Sequence, residues 1–272
     1  MTEGAVTIDE AIALLSATDR LLVALDFDGT LSPLVDEPMR ARMAPDARVA
    51  VDALVAAPAT TVAFVSGRSL PDLRIIAEHG DDSTILLAGS HGAEHWIPEA
   101  MRTNEADADA TDAGDSTLTE RAERDRLRTA AEAIAAGIPG AWIEPKTFGF
   151  AVPSRTVVSA DRAGLHERVD ALMAAQAPEW RRRTGHDIVE YAFRDEGKDT
   201  AVAWLRERTA ATAVLFAGDD VTDEDALRSL GPGDVGVRVG TGETSASVRV
   251  DGIPELAAML VRLARERTAC RE

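Results

Sequence analysis

The alternation of apolar and polar stretches divides the chain into short elements. The clearest is Leu21–Leu25, LLVAL, an aliphatic run that stops abruptly at Asp26-Phe27-Asp28-Gly29-Thr30. A continuous apolar run of this length, bounded by turn residues, predicts a strand buried on both faces. Ile8–Ala17 predicts an amphipathic helix ahead of it; a polar, Pro-bearing loop over Ser32–Pro45 and a helix over Ala47–Ala57 follow. Thr60–Val65 predicts a second strand running into Ser66-Gly67-Arg68-Ser69-Leu70-Pro71, where small polar residues and a proline mark a strand-to-helix junction. A helix over Leu73–His79 and a third strand over Thr84–Ala88, ending in Gly89-Ser90-His91-Gly92-Ala93-Glu94, complete a βαβαβ rhythm. That rhythm predicts a parallel sheet with right-handed crossovers.

Beyond Trp96 the pattern changes. Residues 99–119 are dominated by Asp, Glu, Ala, Thr and Asn, with little to bury, and predict an exposed, mobile acidic loop. A helix over Glu120–Ala136, strands over Ala141–Val152 and Val157–Val158, a helix over Asp161–Ala175 and a strand over Asp187–Phe193 interrupt the parallel rhythm. It resumes with a helix over Asp199–Arg208 and a strand over Ala213–Ala217 that stops at Gly218-Asp219-Asp220-Val221-Thr222-Asp223-Glu224-Asp225. A helix through Leu230, a strand over Asp234–Val239 and a helix over Pro254–Arg267 close the chain. The expected fold is α/β: a Rossmann-like parallel-sheet core from residues 1–96 and 194–272, with an α+β cap domain inserted over 97–193.

Composition narrows the function. At 272 residues and 45% hydrophobic content the chain can bury a large core together with a smaller second one. A formal charge of -18 argues against nucleic acid or an anionic membrane as partner, since both demand a basic face. The single cysteine, Cys270, forms no internal disulfide, and no apolar run approaches the ~20 residues of a spanning helix. The expectation is a cytoplasmic monomer acting on a small molecule.

The candidate chemistry lies in four polar clusters at the junctions of predicted core elements: Asp26 with Asp28, Ser66, Lys198, and Asp219 and Asp220 with Asp223. Residues two apart on extended chain share a face, so Asp26 and Asp28 can share one cation. Alone, Ser66 reads as a helix cap and Lys198 as a solvated surface charge; in this order, at strand ends that converge, they read as one site. Several carboxylates for a hard divalent ion, one hydroxyl and one ammonium suit phosphoryl transfer. Asp26 is the expected nucleophile, giving an aspartyl-phosphate, and Asp28 the acid and base. Ser66, Gly67 and the helix start behind them, with Lys198, are expected to bind phosphoryl oxygens. Mg2+ is the expected cofactor, held by Asp26, the backbone carbonyl of Asp28 and Asp219, with Asp220 and Asp223 in the same acidic set.

The order D-x-D-G-T, S-G-R, Lys and G-D-D-x-x-D resembles the haloacid dehalogenase superfamily of phosphohydrolases. More narrowly, Gly89–Glu94 (GSHGAE), Ile143–Arg155 (IEPKTFGFAVPSR), Val189-Glu190 and Gly218–Ala226 (GDDVTDEDA) resemble the trehalose-6-phosphate phosphatase family, from Leu22 to about Leu260. The resemblance implies a phosphoric monoester hydrolase acting on trehalose 6-phosphate, the last step of trehalose biosynthesis. It also implies a cap closing over a disaccharide, with Glu144, Lys146 and Glu190 as sugar contacts and His91 and Arg155 at further substrate-binding positions. The chain departs from the family pattern at Pro153-Ser154, where His-Tyr is usual, at His186, where Lys is common, and at Asp199, where Gly is usual. These departures bear on substrate choice and leave open a phosphatase for sucrose phosphate or glucosyl- or mannosylglycerate phosphate, or a non-catalytic sugar-phosphate sensor.

Overall fold

The computed structural model describes residues 6–102, 116–185 and 187–271. Most of the acidic stretch expected as a mobile loop, and His186, lie outside them. The chain packs into two compact units, one of Met1–Asp112 with Glu196–Glu272 and one of Ala113–Asp195.

The first unit is built on β1 (Leu21–Leu25), whose five residues are all buried. Leu21, Val23 and Leu25 join one apolar cluster and Leu22 and Ala24 another, so the strand has a core on each face. That is why its sequence is continuous rather than alternating. It pairs in parallel with β2 (Thr60–Val65) on one side and with β9 (Ala213–Gly218) on the other. Next to β2 comes β3 (Leu86–Gly89), then the antiparallel edge strand β4 (Glu94–Trp96). Next to β9 come β10 (Val235–Val239) and β11 (Val248–Val250). The order of the seven-stranded sheet is β11-β10-β9-β1-β2-β3-β4. One face is covered by α1 (Ile8–Ser16), α2 (Pro45–Ala56), α3 (Leu70–Ile76) and α8 (Ile253–Ala269), the other by α6 (Lys198–Thr209) and α7 (Asp223–Ser229). Arg267 of α8 is fully buried yet satisfied: its guanidinium donates to the carbonyls of Leu15 at 2.7 Å and Ala59 at 2.8 Å and to the Thr60 hydroxyl at 2.7 Å.

The second unit carries the four-stranded antiparallel sheet β5 (Glu144–Lys146), β6 (Gly149–Pro153), β8 (Ile188–Ala192) and β7 (Arg181–Gly185), in that spatial order. Phe150, Val152, Val189 and Tyr191 pack with Leu127 and Ala131 of α4 (Leu118–Ala135) and Leu165, Val169 and Met173 of α5 (Ser159–Gln176). Asp170 of α5 accepts from the Tyr191 hydroxyl at 2.5 Å and from Arg182 Nε at 2.6 Å, which fixes the helix side of the sheet.

Several local expectations are corrected. Ala141–Val152 is a hairpin, β5 and β6, rather than one strand. Val157–Val158 is not a strand: Val157 is buried against α4 and α5 and Val158 is the N-cap of α5. The helix placed at Leu73–His79 starts three residues earlier, because the Ser69 hydroxyl caps it by accepting from the Asp72 N–H at 3.3 Å. Strands β4, β7 and β11 were not expected.

Candidate active site

Parallel pairing brings the C-terminal ends of β9, β1 and β2 to one edge of the sheet, and the residue after each strand carries a polar side chain: Asp219, Asp26 and Ser66. This convergence at strand ends is where open α/β sheets hold ligands. Asp26 is anchored by its own N–H, which donates to the Ala217 carbonyl at 2.9 Å. Phe27 is fully buried between the two carboxylates of the motif. Gly29 follows at φ 85°, and a Cβ there would stand 2.1 Å from Asp219 Oδ2, so only glycine lets the turn pass this close to the second carboxylate.

Lys198, the first residue of α6, is 3% exposed and reaches the same edge. Its ammonium donates to Asp26 Oδ1 and to Asp223 Oδ1, each at 2.6 Å. Asp219 accepts from the Thr30 hydroxyl at 3.3 Å. Asp26, Asp219 and Asp223 each offer an oxygen within 4.8 Å of the others, a donor set that fits a small hard dication. The balance of charge makes the same point: three carboxylates face one lysine. Burial pushes the Asp219 carboxyl up to about 7, with the charge of Asp223 adding to the rise. Burial likewise raises Asp26 well above the usual carboxylate range, although Lys198 opposes the shift. Burial alone would lower the Lys198 ammonium, but Asp223 and Asp26 outweigh it and hold it charged, above its ordinary value.

The remaining predicted residues separate into those the fold gathers here and those it does not. The Asp28 carboxylate is held by Arg68 in a bidentate pair, Nε to Oδ2 at 2.5 Å and Nη2 to Oδ1 at 2.7 Å, and does not join the three-carboxylate group. Asp220 also lies outside that group; its N–H donates to Asp223 Oδ2 at 2.8 Å and its carbonyl accepts from Arg238 at 2.8 Å. Ser66 is buried, and its hydroxyl accepts from the Arg68 N–H at 3.2 Å. The His91 ring lies against Gly67, where a Cβ would meet the imidazole at 2.6 Å. His91 sits in a strained turn, with Ser90 and His91 at φ 47° and 58° and Gly92 at φ 108°. The turn is fastened by the His91 N–H to the Ser66 carbonyl at 2.9 Å and the Ser90 N–H to the Arg68 carbonyl at 2.6 Å. Buried Glu94 tightens it, accepting from the Ser90 hydroxyl and, at 3.2 Å, from the Leu70 N–H.

Glu144, Lys146, Arg155 and Glu190 belong to the second unit. Glu144 and Lys146 form an ion pair on β5 at 2.9 Å, and Glu190 lies on β8. Arg155 is exposed in the turn after β6. Asp199 occupies the first turn of α6, where a carboxylate suits the positive end of the helix dipole.

Two supporting arginines were not singled out from the sequence. Arg68 stands in the quoted S-G-R, but nothing local connects it to Asp28, forty residues away. Arg238 is buried in β10, pairs with Glu224 at 3.5 Å and braces the Asp220 carbonyl; its signal is a lone cation inside the otherwise aliphatic VGVRV.

A parallel sheet with helices on both faces, crowned by an acidic triad and a buried lysine, has the fold of the haloacid dehalogenase class. Within it, the chain belongs to the trehalose-phosphatase family, whose model matches residues 24–253. It is 34% identical over 227 residues to a trehalose-phosphate phosphatase of Mycobacterium marinum, covering 81% of this chain and 54% of that protein. A trehalose-phosphate phosphatase of Mycobacterium leprae is 32% identical over 285 residues, covering 95% of this chain and 62% of that protein. The chain thus spans about half the length of the first of these relatives. The solved C-terminal domain of a trehalose-6-phosphate phosphatase from Candida albicans superposes with a TM-score of 0.79 at 18% identity, covering 96% of this chain and 98% of that one; at that identity the likeness is one of fold. Among the described residues, no helix is long and apolar enough to cross a membrane.

Proposed function

We propose that this chain is a Mg2+-dependent phosphatase that hydrolyses trehalose 6-phosphate to trehalose and phosphate, acting in the cytoplasm through an aspartyl-phosphate on Asp26. The observation that carries the reading is the meeting of Asp26, Asp219 and Asp223 with Lys198 at the C-terminal edge of the sheet. Membership of the trehalose-phosphatase family supports the substrate.

The Asp26 carboxylate attacks phosphorus, and the bond from phosphorus to the sugar oxygen breaks. The electron pair goes to that oxygen, which takes a proton from Asp28. In the resting structure Arg68 holds both Asp28 oxygens, so the pair must open at one oxygen for Asp28 to carry the proton that it donates. In the second half Asp28 takes a proton from water, the oxygen of which adds to phosphorus, and Asp26 leaves as a free carboxylate. Ser66 and the N–H groups of the loop that follows it bind phosphoryl oxygens, and Lys198 supplies fixed positive charge beside Asp26. Asp26, Asp219 and Asp223 would hold Mg2+, which, when bound, offsets the repulsion between a carboxylate nucleophile and a phosphate dianion. The second unit is the cap, with Glu144, Lys146 and Glu190 as its sugar contacts.

A phosphate-release panel tests this: trehalose 6-phosphate, sucrose 6-phosphate, glucosylglycerate phosphate, glucose 6-phosphate and p-nitrophenyl phosphate, each with and without Mg2+. Marked preference for trehalose 6-phosphate with Mg2+ is expected. Equal rates in excess EDTA would refute the metal, and preference for another phosphosugar would refute the substrate.

A further inference from the structure

The register of the four-stranded sheet assembles a row of side chains that motif reading does not contain. Glu144 pairs with Ala151, Ala151 with Glu190, and Glu190 with Arg183, so these four residues cross the sheet on one face. Side chains alternate along a strand, and the neighbours Phe150, Val189 and Tyr191 occupy the other face, against α4 and α5. The row therefore lies on the face turned away from the unit's own helices. Two residues along from it, Lys146, Gly149, Ala192 and Arg181 form a parallel row on the same face.

The two ends of this face share a chemical logic. On β5, Glu144 and Lys146 pair an acid with a base at 2.9 Å. On β8 and β7, Glu190 and Arg183 stand directly opposed, an arrangement that puts Cβ atoms about 4.5–5.5 Å apart. Between them the floor is Gly149, Ala151 and Ala192, too small to rise above the sheet. Gly149 has no alternative there, since a Cβ would stand 1.8 Å from the Tyr191 carbonyl. Three inter-strand steps separate Glu144 from Arg183, about 14 Å.

A sugar hydroxyl is at once donor and acceptor, a carboxylate is acceptor only, and a guanidinium is donor only in a fixed planar fork. A carboxylate alone answers half of what a hydroxyl offers; an acid and a base side by side answer both halves. We propose that Arg183 is a specificity-determining residue of the carbohydrate face, reading with Glu190 the hydroxyls of the second ring of a two-ring phosphosugar while Glu144 and Lys146 read the first. This rests on the cap reading given above.

The test compares the wild-type protein with Arg183→Ala and Arg183→Lys in Mg2+, using trehalose 6-phosphate, glucose 6-phosphate and p-nitrophenyl phosphate. Arg183→Ala is expected to raise KM for trehalose 6-phosphate about tenfold or more while kcat stays near the wild-type value, the loss of a charge-assisted hydrogen bond made equally in ground and transition states. Turnover of p-nitrophenyl phosphate, which has no second ring and also reports correct folding, is expected to be unchanged, and Arg183→Lys to recover part of the KM. An unchanged KM for trehalose 6-phosphate in Arg183→Ala overturns the role of Arg183, as does a parallel loss on all three substrates. A wild-type protein inactive on trehalose 6-phosphate overturns the parent reading before any variant is compared.

Discussion

The two sheets hold their functional residues in different ways. In the seven-stranded sheet the side chains come from loops and helix starts beyond the strand ends and are locked by charge: buried Lys198 spans buried Asp26 and Asp223, and half-buried Arg68 clasps half-buried Asp28. In the four-stranded sheet they project from the strands themselves and are spaced by the ladder, as Glu144, Glu190 and Arg183 are. The first arrangement is all-or-none, because removing one partner strands a buried charge. The second is graded, because each rung contributes its own hydrogen bonds and leaves its neighbours in place. Bond cleavage should therefore respond steeply to substitution and sugar choice gently.

The steepest response is expected at Asp26. Asp26→Asn removes the nucleophile and should lower kcat by about a thousandfold or more with a folded protein, measured by phosphate release and circular dichroism. Normal turnover would sink its role as nucleophile. Lys198→Ala should lower kcat by about a hundredfold and also cost about 3–5 kcal/mol of stability in denaturant unfolding, since two buried carboxylates lose their counter-charge. If stability is unaffected, the buried charges are not holding the edge together.

A smaller effect concerns pH. Burial, with the charge of Asp223, raises the Asp219 carboxyl to about 7, so the folded metal-free protein keeps a proton there that the unfolded chain has already lost. A raised carboxyl contributes stability at low pH that is lost as pH rises through about 7, the reverse of a salt-bridged carboxylate. In EDTA the melting temperature should fall between about pH 5 and about pH 8, and Mg2+ should restore it most at the higher pH. The mildest effect belongs to the second sheet: Glu190→Gln should raise KM for trehalose 6-phosphate about tenfold and leave p-nitrophenyl phosphate turnover alone. A collapse of kcat on both substrates would erase the contrast between the two regions.

What the sequence reveals follows the same division. Strand β1 and its Asp-x-Asp are readable because a strand buried on both faces must be aliphatic throughout, so the first carboxylate marks its end. The same holds for β9 and the Asp219 loop. Strand β7 is opaque: RRRTG has no apolar period, because Arg182 satisfies Asp170 on the helix side while Arg181 and Arg183 occupy the other face. Strand β11 has three residues and β4 three, too few for any period to register. Val157–Val158 misleads in the opposite direction, as two β-branched residues that lead into a helix. The pairing of Arg68 with Asp28 and of Arg238 with Glu224 depends on which loops the sheet order brings side by side, and that order is not written locally.

The sheet order also sets a timetable for synthesis. Strand β1 lies between β2, made shortly after it, and β9, made almost two hundred residues later. The second unit, one continuous segment, is complete before β9 leaves the ribosome. The inserted unit can thus fold on a nascent chain in which Asp26 still lacks both Lys198 and Asp219, and the carboxylate edge assembles only when the last strands and α8 arrive. Ribosome-bound chains stalled with the second unit outside the exit tunnel and β9 still inside it are expected to protect the second unit from protease and to leave β1 open to cleavage.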